Sequence, residues 1–207
     1  YPGIFAWPGK GNLNAKGKGD VPLVILDELA PYNDVNGNGI YDPVNGDYPV
    51  INSNTDCGTI DAGIYADQMI FWVYNDKGNI HTETGGQAIG VQVGALAFAF
   101  KTSDEVNNMT FYRYDILNKG NVPIGDFYMG QWVDADLGCF NNDYVGCDTS
   151  LSLGFAYNGL STDPDCATKG YGISVPIIGV DYFEGPYSGR TVNGEPEKLG
   201  MSTFLYY

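Results

Sequence analysis

The run Asp34-Val35-Asn36-Gly37-Asn38-Gly39-Ile40-Tyr41-Asp42 places an oxygen-bearing side chain at every second position except the seventh. That spacing matches the D-x-[DN]-x-[DN]-G opening of a calcium loop. Oxygens of Asp34, Asn36 and Asn38 curl toward one point, Gly39 permits the sharp turn, Ile40 offers its backbone carbonyl, and Asp42 adds a further oxygen. The pattern departs where a bidentate Glu is usual: Asn45 stands there, so Asp47 is the expected closing carboxylate. Pro31, Pro43 and Pro49 exclude the two helices of an EF-hand, so the loop is EF-hand-like in its ligands and not in its fold. Plain turns would account for the Asn-Gly dipeptides but not for the alternation of oxygens.

A second cluster, Asp134, Asp136 and Asp143 with Asp148 beyond, lacks any nearby basic residue. Such carboxylates repel one another unless they share a hard cation. The first three are candidate ligands of a second calcium, the alternative being a solvated acidic loop.

Charge across the chain agrees with a cationic cofactor, Ca2+. The formal net charge is -15, and the 25 acidic residues comprise 19 Asp and 6 Glu. Residues 19–76 hold ten acids and no Lys or Arg, and residues 120–168 hold seven acids and again none. Uncompensated blocks of this kind destabilise a compact state by self-repulsion, and they exclude nucleic acid and anionic lipid surfaces as partners.

Other chemistries find little support. Cys57, Cys139, Cys147 and Cys166 show no C-x-x-C spacing, and His81 is the sole histidine, which argues against zinc. An even cysteine count is compatible with two disulfides in an oxidising compartment, with free buried thiols as the alternative. Cys139 with Cys147 would close a short loop and leave Cys57 for Cys166. There is no G-x-S-x-G, P-loop or H-E-x-x-H motif, and nothing marks a partner for His81, so the chain is read as a non-enzyme. Trp72 and Trp132 could line a sugar-binding face, although filling a core is the commoner use of such rings.

The elements that must position these groups read as strands. Gly 29 and Pro 11 among 207 residues imply many turns between short strands. Residues 21–26 are a short apolar run; strand patterns cover residues 68–74, 87–100, 109–117, 124–133, 150–157, 177–183 and 201–207, and the turn at 118–121 predicts a hairpin joining 109–117 to 124–133. No segment shows capped helical periodicity. The expected fold is all-β, a β-sandwich with long calcium-binding loops and an irregular N-terminal arm. Residues 1–20 would be an arm or linker, 21–66 a calcium-loop segment packed on the sandwich, and 67–207 the sandwich domain. No apolar run approaches the ~18 residues of a membrane span, so direct membrane insertion is not expected. An opening Tyr1 and the final strand-like residues read as a piece of a longer protein.

Several segments together carry a family resemblance: the loop at 34–49, residues 67–76, His81-Thr82-Glu83-Thr84-Gly85-Gly86, Met109-Thr110-Phe111-Tyr112-Arg113-Tyr114, Gly130-Gln131-Trp132-Val133-Asp134-Ala135-Asp136, Asp143-Tyr144-Val145-Gly146-Cys147-Asp148 and Gly200-Met201-Ser202-Thr203-Phe204. Over residues 20–207 the chain resembles a region of large secreted surface proteins of Bacteroidota, exported by the type IX secretion system, with a calcium loop of thrombospondin type 3 or EF-hand-like kind. The resemblance implies export, an extracellular or cell-surface location and long multidomain parents, but no defined activity. The expected role is a calcium-stabilised structural or adhesive module, a segment or subunit of an extracellular filament or appendage. Its partners would be neighbouring domains or copies of the same protein. The alternative is a calcium-dependent carbohydrate-binding module recognising surface glycans.

Overall fold

A computed structural model describes residues 2–55, 58–62 and 65–206. The chain is all-β, built from several antiparallel sheets, and it divides into two compact units, Tyr1–Phe127 and Tyr128–Tyr207. Among the described residues no helix is long and apolar enough to cross a membrane.

The first unit opens with a short helix, α1 (Pro2–Ala6), and a two-stranded ladder of β1 (Tyr32–Asn33) with β2 (Tyr48–Pro49). A hairpin of β3 (Ile51–Thr55) and β4 (Gly58–Ala62) follows. Its principal sheet has β6 (Val91–Ala99) between β5 (Gln68–Asn75) and β7 (Phe111–Asn118). The β-branched and aromatic alternation of β5 suits a pleated surface covered on one face, and the Ala-rich β6 suits the centre. Ala95, Leu96 and Val93 are buried accordingly. Register places Phe71, Leu96 and Arg113 on one face, and Ile70, Trp72, Tyr74, Ala97, Ala95, Val93, Tyr112, Tyr114 and Ile116 on the other.

The N-terminal arm is sewn into this unit. The Trp7 ring lies 4.8 Å from that of Phe71, and Trp7 Nε1 donates to the Pro31 carbonyl at 3.0 Å. Buried Asn12 donates to the Phe5 and Trp7 carbonyls at 2.9 and 2.7 Å. Residues 21–26, the short apolar run, form no strand. They bond the arm instead, through Gly11 N to the Ile25 carbonyl and Leu23 N to the Ala15 carbonyl.

β6 is shorter than the 87–100 run that predicted it, because Asp76 caps its entry. The Asp76 carboxylate accepts the Ile89, Gly90 and Val91 N–H groups at 2.5 to 3.1 Å. The predicted hairpin between 109–117 and 124–133 is replaced by β6–β7 pairing, and residues 124–133 contain no strand. The turn residues are diverted: Lys119 N donates to the Gly90 carbonyl, Asn118 Nδ2 holds the Val122 carbonyl, and Asp126 sits at φ 50°. A left-handed residue breaks an extended run.

In the second unit, β9 (Leu153–Asn158) lies between β8 (Asp143–Asp148) and β10 (Ile177–Asp181), and β11 (Tyr187–Val192) pairs with β12 (Glu195–Lys198). The strands expected at 150–157 and 177–183 correspond to β9 and β10. No strand pattern anticipates β8, whose first residue, Asp143, is one of the candidate ligands. Residues 201–206 are without strand, Met201 N donating to Ser152 Oγ at 3.1 Å, and Tyr207 lies outside the described residues.

The disulfide joins Cys139 to Cys166, with Cα atoms 5.4 Å apart, and corrects the expected Cys139–Cys147 pairing. Cys147 lies exposed in β8 opposite Gly154, with a free thiol. Cys139 is drawn instead toward the segment carrying Cys166, because its N–H donates to Asp163 Oδ1 at 3.1 Å. Cys57 lies outside the described residues, so Cys166 is taken from the partner expected for it.

Candidate metal centre

The β1–β2 ladder pairs Asn33 with Tyr48 and so clamps the two ends of the 34–47 loop. Asp34 organises the first half. Its Oδ1 accepts from Gly37 N at 2.7 Å and Asn38 N at 3.2 Å, and its Oδ2 accepts from Gly39 N at 2.6 Å. Asn36 Oδ1 accepts from Asn38 N, and Asn38 Oδ1 from Ile40 N, at 3.0 and 2.8 Å. These successive side-chain-to-backbone turns are what Asn and Asp do locally in place of regular structure. Gly37 and Gly39 have φ of 70° and 75°. A Cβ at either would meet nothing within 4 Å, so glycine is required here for the backbone conformation and not for space.

Asp42 gathers the second half. Its carboxylate accepts from Nδ2 of Asn45 at 3.0 Å, of Asn38 at 2.9 Å and of Asn36 at 3.2 Å. These amides, that of Asn45 most of all, hold its carboxyl below the usual range against the opposing effect of burial. The side chains of Asp34, Asn36, Asn38 and Asp42 therefore form one continuous polar net, and Ile40 joins it through its backbone N–H.

Asp47 has a different place. It is 2% exposed, and its two oxygens accept from Val35 N at 2.9 Å and Asp42 N at 2.8 Å. It is a strut across the loop's root, already bonded on both oxygens. Beside it Tyr41 is 1% exposed, packs edge-on against Tyr32 and donates its hydroxyl to the Ile4 carbonyl at 2.6 Å. Burial, with the charge of Asp47 adding to it, pushes the Tyr41 phenol up to about 12. Tyr41 N also donates to the Lys10 carbonyl. The loop is thus plugged into the N-terminal arm, and no local sequence signal identified Tyr41 or Asn12 as its anchors.

The net holds two carboxylates, three side-chain amides and the loop backbone; the amides face Asp42 through Nδ2, so a calcium ion here would need them to turn their oxygens inward. Among the described residues no three His, Cys, Asp or Glu side chains lie together as a metal-holding group, so any cation here would draw on Asn and backbone oxygens as well as carboxylates. The ion pairs Lys16–Asp20 and Arg113–Asp115 do not involve the loop carboxylates.

The second cluster is dispersed. Asp134 and Asp136 are exposed. Asp143 opens β8, its Oδ2 accepting from Leu137 N at 2.8 Å, and Asp148 closes the same strand. Five residue steps along a strand separate those two by ~17 Å. Asp148 serves the following turn, accepting from Ser150 Oγ at 2.6 Å and Ser150 N at 2.9 Å. The residue that organises this region is Asp163, 1% exposed. It accepts from Tyr171 N at 2.7 Å, Cys139 N at 3.1 Å and Asn142 Nδ2 at 3.3 Å. The Tyr171 bond leads in lowering its carboxyl pKa, against burial and with help from Cys139 and Asn142. Only membership of the acidic block hinted at it in the sequence.

His81 is half-buried, with Nε2 2.7 Å from the Asp76 carbonyl oxygen. Neither family models, nor curated proteins, nor solved structures match this chain.

Proposed function

We propose that the chain is a calcium-stabilised structural or adhesive module of a secreted or cell-surface bacterial protein of the type IX-exported kind, a segment or subunit of an extracellular filament or appendage. The observation that carries this reading is the convergence of Asp34, Asn36, Asn38 and Asp42 in one net, braced from behind by Asp47. Calcium bound there would neutralise Asp34 and Asp42, with Ile40 supplying its carbonyl. The protein's own part is to pre-shape the loop through the positive-φ glycines and to couple it through Tyr41 to the arm. A loop anchored this way transmits rigidity to its unit. The Cys139–Cys166 disulfide and the acidic surface support an oxidising, extracellular setting. Partners would be neighbouring domains or further copies of the chain.

Thermal melting with calcium and with excess EGTA tests this reading. A cation that binds only the folded state stabilises it by ~2.7 kcal/mol at a hundredfold excess over Kd. For a chain of this size that is a shift of roughly 5–10 °C. An unchanged midpoint would refute the calcium role.

The exposed rings favour a second reading. Trp132 is 65% exposed and Tyr128 79%, and Trp72 and Tyr112 lie on the open face of the β5–β6–β7 sheet. Such rings can stack on sugars. Calcium-dependent retention on a glycan array, lost in Trp132→Ala, would establish carbohydrate binding.

A further inference from the structure

Three buried side-chain oxygens of the second unit have no hydrogen-bond partner: Asn142 Oδ1, Asp143 Oδ1 and Asn158 Oδ1. The strand register sets two of these residues side by side, and the third adjoins them at the same end of the hairpin. Asp143 opens β8 directly opposite Asn158 at the end of β9, and cross-strand partners project from the same face with Cβ atoms ~5 Å apart. Asn142 is the adjoining residue, fastened to the same end of the hairpin because its carbonyl accepts the Gly159 N–H at 2.8 Å.

The other polar atom of each side chain is already committed. Asn142 Nδ2 donates to Asp163 Oδ1 at 3.3 Å, Asp143 Oδ2 accepts from Leu137 N at 2.8 Å, and Asn158 Nδ2 donates to the Leu160 carbonyl at 2.6 Å. These bonds decide which amide atom is the oxygen. Turning either amide over would set its carbonyl against the Asp163 carboxylate or the Leu160 carbonyl. All three orphan atoms are therefore acceptors, and one carries charge. Buried polar groups left without partners in a native fold call for an explanation, commonly a water or an ion. A single water has two protons for three acceptors and leaves the carboxylate charge uncompensated. A divalent cation accepts several oxygen ligands at once and offsets the carboxylate charge.

We propose that Asn142, Asp143 and Asn158 bind a calcium ion at the shared end of β8 and β9. The all-oxygen set of one carboxylate and two amides selects calcium over zinc-type ions. Asp134 and Asp136, both exposed, are not part of it. The site lies in the second unit and stands independently of the 34–47 loop.

The test is calorimetric titration of the full chain with calcium alone, in an Asp34→Ala/Asp42→Ala background that disables the first loop. One calcium should remain. Asp143→Asn should weaken it at least tenfold, and Asn158→Asp, which adds a second carboxylate, should tighten it severalfold. Absence of calcium binding in that background would overturn the proposal, as would binding that neither variant alters. Should Asp143→Asn fail to fold, Asn158→Asp decides alone: tighter binding supports the site, whereas a calcium-independent fall in melting temperature from two facing carboxylates overturns it. A wild-type calcium lost on Asp143→Asn but kept in the background variant would sink the first-loop reading and leave this one standing.

Discussion

The loop at 34–47 and the region around Asp143 and Asp163 are both acidic, yet they differ in how far along the chain their carboxylates reach for donors. In the first, every carboxylate finds its donors within a dozen residues, from Asn36, Asn38 and Asn45 amides and from the N–H groups of residues 35 to 42. In the second, near donors such as Leu137 N on Asp143 and Tyr171 N on Asp163 are joined by distant ones: Asp163 also holds Cys139 N, 24 residues away, and Asn142 Nδ2, 21 away, and a disulfide spans 27 residues beside it. That region also retains three buried oxygens without donors. The first loop satisfies its own carboxylates and is anchored to the arm through Tyr41, whereas the second region also depends on bonds and a disulfide across a longer stretch of its unit.

The largest expected effect follows from that dependence. Removing the disulfide with Cys139→Ser and Cys166→Ser releases a closed loop of 27 residues, worth about 3–4 kcal/mol in the chain-entropy account. Urea unfolding followed by probes in each unit should show the loss in the second unit, with the 34–47 loop unaffected. The next is Asp47→Ala. It strands the N–H groups of Val35 and Asp42 at a buried carboxylate's position, at a cost of about 2–4 kcal/mol. Here the urea midpoint of the first unit should fall and that of the second should hold. Gly39→Ala is milder, about 1 kcal/mol, because its φ of 75° is the only obstacle.

Much of the first region was legible because its logic is local. The alternating Asp and Asn residues from Asp34 to Asp42, read as calcium ligands, lie in one loop joined by local hydrogen bonds, and the period-2 pattern forecast β5, β6 and β9. What failed was non-local. The 118–121 turn promised a hairpin with 124–133, but β6 took β7 as its partner and Asp126 broke the run. β8 was hidden because Asp143, which opens it, read as a metal ligand of an acidic cluster and not as the start of a strand. The cysteine pairing turned on Asp163, whose position relative to Cys139 no spacing rule reveals. Asn193-Gly194, with φ of 53° and 89°, is a hairpin signal that could have disclosed β11 and β12.

Acid should act on both regions in the same direction. Asp42 and Asp163 have carboxyl pKa values lowered in the fold, by the Asn45 amide and the Tyr171 N–H respectively. Their folded forms hold fewer protons than the unfolded chain, so this contribution is complete above the unfolded carboxylate value, near 4. It is lost as pH falls below that value through the folded pKa values. Melting temperatures measured from pH 6 down to pH 2 should be flat above about pH 5 and fall below about pH 4.

The central claim, that calcium rigidifies the 34–47 loop, is tested most directly by amide hydrogen exchange of that segment with calcium and with EGTA. The account predicts that the backbone N–H groups of residues 37 to 40 exchange much more slowly with calcium, with protection extending to Tyr41 and the arm it anchors. Equal exchange in the two conditions would contradict it.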